Sequence, residues 1–173
     1  MKKVLLMLIM SVSLFANWKV QVQESTAYVK NEDCTFKYHT EGESYIPNFI
    51  IEIQMDKHAQ EVILANKKNI VLYIADSKNP NYGVGIESSR EGNWDDFYNL
   101  VNWRTTEKGI EGFLLESSPH FEEVNRILKN GKSFILGVYF EDVINDNLEK
   151  LFETSLSSIG YIKAKATVDK NTK

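Results

Sequence analysis

Pro47-Asn48-Phe49-Ile50-Ile51-Glu52-Ile53-Gln54-Met55 decides the fold class of this chain. Phe49, Ile51, Ile53 and Met55 stand at every second position, with Glu52 and Gln54 among the residues between them. Successive side chains of a strand point to opposite faces. The spacing therefore predicts a strand with one face in a core and the other nearer water.

The same period extends in both directions. Upstream, Cys34, Phe36 and Tyr38 alternate with Thr35 and Lys37, and Trp18, Val20 and Val22 alternate with Lys19, Gln21 and Gln23. Tyr28 and Val29 start a further strand, and the polar residues 30–33 turn it toward Cys34. Residues 41–44, Glu-Gly-Glu-Ser, read as a second turn. Downstream, the short apolar runs 61–65 and 70–74 flank a polar turn and read as a hairpin. Residues 76–81, with Asn79-Pro80, form a break. Residues 82–86 follow as a strand in which Gly83 and Gly85 mark a bulge or a close backbone approach. Residues 110–115, 133–140 and 151–156 complete the strands.

Residues 119–130 are the clearest helix. Ser118 can cap it, Pro119 suits its first position, and Glu122 and Glu123 favour its N-terminal dipole. Phe121, Val124, Ile127 and Leu128 make its apolar face, and Gly131 is placed to end it in a left-handed conformation. A short helix is expected after Ser157-Ser158, through Ile159, Ile162 and Ala166. Many short strands with one strong helix predict a mainly β protein. The expected form is an antiparallel β-sandwich with one or two short helices in the C-terminal third. The alternative is a curved sheet with the helix over one face.

Lys2 and Lys3 precede an unbroken apolar run, Val4 to Met10, which Val12, Leu14 and Phe15 extend up to the small residue Ala16. Basic start, short apolar centre and small exit residue form the signal-peptide pattern. The run is shorter than the ~20 residues of a membrane span. Residues 1–16 are therefore expected to be a cleaved signal peptide, with an uncleaved anchor helix as the alternative. Residues 17–168 would be a single domain and residues 169–173 a frayed polar tail. The expected location is periplasmic or secreted, with no integral membrane span after cleavage.

Charged residues at 25% and apolar residues at 43% describe an ordinary folded chain. Net charge is −4, and loss of Lys2 and Lys3 takes it to −6. That balance, with scattered basic residues, argues against nucleic acid and against anionic membranes as main partners. Cys34 is the only cysteine, so no internal disulfide can form. The alternation points its thiol inward, as a small buried apolar group. The functional alternative is an intermolecular disulfide or a reactive thiol, and His39 falls on the opposite face.

No arrangement of residues carries a catalytic signature. His39, His58 and His120 lack metal-ligand spacing. The serine pairs are not flanked as a nucleophile elbow, and Gly83-Val84-Gly85 is not a phosphate loop. The acidic pairs Asp95-Asp96, Glu122-Glu123 and Glu141-Asp142 read as solvated surface. No cofactor and no metal are implied. Residues 94–103 fit neither period and hold the densest aromatic stretch. They read as core or as a recognition segment, with Trp94, Tyr98, Trp103 and Arg104 as candidate binding residues.

In the last third, a helix and glycine turn (121–131) precede a strand (133–140). A second strand then runs into Leu156-Ser157-Ser158-Ile159-Gly160-Tyr161 and a helix. With Trp18 and Cys34 near the start, this resembles exported β-sandwich proteins of the invasion-associated locus B type. The resemblance implies a fold and an envelope location and carries no catalytic residues. Members commonly have further cysteines, whereas this chain has only Cys34. The expectation is an exported, non-enzymatic envelope protein that binds another envelope protein or a small ligand. A periplasmic hydrolase with dispersed residues and a small-ligand carrier are the alternatives.

Overall fold

A computed structural model of the chain describes residues 17–41, 46–66, 69–88, 101–142 and 147–171. Among these residues ten strands form two antiparallel sheets. The first sheet contains β1 (Lys19–Gln21), β2 (Thr26–Lys30), β3 (Cys34–Glu41), β4 (Ile46–Gln54), β8 (Gly109–Leu115) and β7 (Asn102–Thr105), in that spatial order. The second contains β10 (Asn147–Ser157), β9 (Ser133–Asp142), β5 (Ile70–Asp76) and β6 (Asn79–Glu87).

β4 is central to the first sheet. It pairs Ile51 with Phe36 of β3 on one side and with Gly112 of β8 on the other. As the period predicts, Phe49, Ile51 and Ile53 are buried, together with Cys34, Phe36 and Tyr38 from β3. Leu72 and Ile74 of β5, Val84 and Ile86 of β6, and Phe134, Leu136 and Val138 of β9 are buried from the second sheet. The inner faces meet where Phe36 packs edge-on against Phe134, with ring centroids 5.2 Å apart.

Among the described residues three α-helices accompany the sheets: two lie in the C-terminal third, as expected, and the first lies outside it. Helix α1 (Lys57–Ala65) replaces the strand expected at 61–65. Asp56 caps it by accepting from Ala59 N at 2.8 Å, and Ile63 is its one fully buried residue. Helix α2 (Phe121–Asn130) starts two residues later than expected. Pro119 and His120 form a turn whose Ser118 carbonyl accepts from Phe121 N at 3.0 Å. Gly131 ends α2 in an extended conformation, φ −82°, rather than a left-handed one. Extended geometry lets Gly131 N donate to Ile127 O at 3.0 Å while the chain passes straight into β9.

Helix α3 (Tyr161–Asn171) packs on β1, β2 and β3. It runs through Asp169, so the expected tail at 169–173 is helix as far as Asn171. Gly160, φ +88°, makes the left-handed turn that starts it. Side chains rather than backbone crowd Gly83: a Cβ there would meet Ala75 Cβ and the Tyr73 hydroxyl at 2.7 Å. Gly85 has ordinary space.

Candidate functional site

Three backbone segments converge at one end of the first sheet. Asn31 shapes the β2–β3 turn. Its Oδ1 accepts from Asp33 N at 3.1 Å and Cys34 N at 2.9 Å, and its Nδ2 donates to Thr154 Oγ1 of β10 at 2.6 Å. The end of β4 is tied to that turn by Gln54 N donating to Asp33 O at 2.8 Å. The β7–β8 turn closes through Thr106 N to Gly109 O at 2.9 Å and joins β4 through Met55 N to Lys108 O at 3.3 Å. Gly109 lies so close to β4 that a Cβ there would stand 1.9 Å from Ile53 O.

Between these segments lies an open cleft of about 480 Å³. Its floor is apolar, made by Cys34, Ile53 and Ile110. Its walls carry four carboxylates, Glu32, Asp33, Glu52 and Glu107, against two ammonium groups, Lys30 and Lys108. Glu52 is also paired with Lys37. Cys34 is 3% exposed. Burial, then the charges of Glu52 and Asp33, push its thiol pKa far above the ordinary value. The protonated thiol is a weak nucleophile, so Cys34 serves the floor as a packing group.

A second polar group ties α3 to the sheet. Tyr38 Oη donates to Asp169 Oδ1 at 2.5 Å and accepts from Lys165 Nζ at 2.8 Å, and Lys165 Nζ also reaches Asp169 Oδ2 at 2.7 Å. Tyr161 Oη donates to Asn125 Oδ1 of α2 at 2.8 Å. Burial raises the pKa of both phenols and keeps them neutral, which suits a structural tie.

Of the residues singled out from sequence, Trp103 and Arg104 are consecutive on β7. Trp94 and Tyr98 lie outside the described residues. Trp103 is 8% exposed and packs in the core. Arg104 is on the surface, paired with Glu111 at 2.5 Å and set over the Phe113 ring. His39 shares a 2.7 Å hydrogen bond with Thr26, His58 is on α1 and His120 precedes α2. Among the described residues no group of three or more His, Cys, Asp or Glu side chains is placed to hold a metal. The 30–33 turn was readable from sequence, but its meeting with residues 52–54 and 106–110 is a product of strand order.

No family model, curated protein or solved structure matches the chain. The resemblance carried by residues 156–161 rests on sequence alone.

Proposed function

We propose that this chain is an exported protein of the cell envelope that binds a basic segment of another envelope protein in the cleft between the β2–β3 turn, the end of β4 and the β7–β8 turn. One observation carries the reading: a cleft of about 480 Å³ with an apolar floor is lined by four acidic residues, of which Glu52 is paired with Lys37, and by two lysines. A cleft of this size admits a few side chains. The acidic excess favours lysine or arginine, and the floor takes their aliphatic stems. The rims are pre-formed, because Asn31 and the paired backbone of β4 hold both turns before any ligand arrives. The basic start and apolar run of residues 2–15 support the exported location.

Titration of isotope-labelled residues 17–173 with a lysine-rich hexapeptide, followed by NMR, tests the reading. Saturable shifts are expected at the amides of residues 31–34 and 106–109, weakening with added salt. A glutamate-rich peptide of equal length should leave them unmoved. Shifts spread evenly over the acidic surface, or none, would contradict it.

A further inference from the structure

The outer side of α3 departs from the acidic character of the chain. Ile162, Ala166 and Lys170, each four residues apart, lie along one exposed side with Lys163 beside them. Tyr161, Ala164 and Val168 face the core from the opposite side. Asp169, at the margin, is committed to Tyr38 and Lys165. Ile159, just ahead of the helix, is 47% exposed and Ile162 is 61% exposed.

The chain enters the domain beside this pair. Trp18 N donates to Ile159 O at 3.2 Å and Trp18 Nε1 donates to Ser157 O at 2.9 Å. Phe15, the end of the N-terminal apolar run, is three residues before Trp18. Even fully extended, that link reaches only ~11 Å. A bilayer that holds the apolar run therefore lies next to Ile159 and Ile162, with Lys19 exposed at the same entry point.

We propose that the outer side of α3 is a membrane-contact surface, seated on an anionic phospholipid bilayer while the chain retains residues 1–16. Ile159 and Ile162 enter the boundary between headgroups and acyl chains, and Lys19, Lys163 and Lys170 meet lipid phosphates. The acidic balance of the whole chain opposes anionic membranes elsewhere on the surface, so contact is confined to this side. A second copy is a poorer occupant. A two-fold interface would crowd the lysines of both copies around two small apolar contacts.

The test uses the full chain in vesicles of phosphatidylcholine and phosphatidylglycerol, at no more than one chain per vesicle. An environment-sensitive fluorophore is placed on Ile162→Cys, with Lys108→Cys as the comparison; Cys34 is buried and stays unlabelled. The label at position 162 should shift to the blue and be quenched by lipids with a quencher near the headgroup, while the label at 108 stays water-like. Lys163→Glu with Lys170→Glu should reduce the shift at least about twofold. These changes are on exposed side chains, so the fold is expected to persist, checked by near-ultraviolet circular dichroism. A water-like label at 162 would overturn the proposal. So would a shift unaffected by charge reversal, or one that appears only with many chains per vesicle, which would assign the surface to a second copy.

Discussion

The indole Nε1 of Trp103 donates to Ser88 Oγ at 2.7 Å, joining the two sheets at the edge where β6 leaves one and β7 enters the other. Ser88 and Val101 form an isolated parallel bridge beside it, with Val101 N donating to Glu87 O at 3.0 Å. Both partners are buried, Ser88 at 2% exposure. Ser88→Ala would strand a buried N–H and should cost about 1–3 kcal/mol in urea unfolding. Trp103→Ala should cost about 3–5 kcal/mol, because it also opens a cavity over Gly112. A Ser88→Ala protein as stable as the parent would show that the bond contributes nothing.

Tyr38→Phe removes the acceptor for Lys165 and the donor to Asp169. Bonds to charged groups are worth more than neutral ones, so the expected loss is about 1.5–3 kcal/mol. Deleting residues 169–173 should destabilise the domain in the same direction. Equal stability after that deletion would restore the polar-tail reading.

The alternating strands were legible because one face of each meets a core. β3 follows its pattern from Cys34 to Thr40, and β4 from Ile51 to Gln54, while Asn48 and Ile50 on the other face of β4 are buried as well. Helix α1 was not, because its short apolar run at 61–65 also suits a strand. The deciding signal was Asp56, three residues before Ala59, acting as a cap. β10 starts at Asn147, earlier than its apolar residues suggest, because backbone pairing with Glu141 and Asp142 extends the hairpin through polar residues. The cleft was out of reach of any local pattern. Cys34, Ile53 and Ile110 are far apart in sequence, and only the order β3-β4-β8 makes them neighbours.

Alkali should weaken the fold. Burial raises the pKa of Tyr38 and Tyr161 in the native state. Burial and the bond to Glu153 push Tyr139 up to about 12. A phenol that holds its proton more tightly when folded adds stability below its unfolded pKa of about 10, and this is lost as pH rises toward the folded value. Urea midpoints should therefore fall above about pH 10. Phenolate absorbance should appear later in the native protein than in the unfolded one. Coincident titrations would contradict the assignment.

Gly109→Ala should be among the most damaging glycine substitutions. The new Cβ meets backbone atoms of Ile53 and Gln54, which cannot rotate away, so the β7–β8 turn must lift from β4. The expected cost is about 2–3 kcal/mol, with loss of peptide binding in the cleft. Gly85→Ala, whose Cβ meets only Val71 Cγ1 at 3.4 Å, should change stability by less than about 0.5 kcal/mol. Similar effects at both positions would refute the close-approach argument.

Burial also predicts the behaviour of Cys34. Its thiol should resist a water-soluble disulfide reagent in the native protein and react promptly in urea. Rapid native reaction would reopen the intermolecular-thiol reading.

The most direct measurement places a photocrosslinking residue at Glu107, on the cleft wall, in the intact cell envelope, with the same residue at Glu141 as the comparison. One discrete, saturable adduct with another envelope protein is expected from position 107. It should be lost on Glu32→Lys with Asp33→Lys and absent from position 141. No adduct at 107, or the same adducts from both positions, would contradict it.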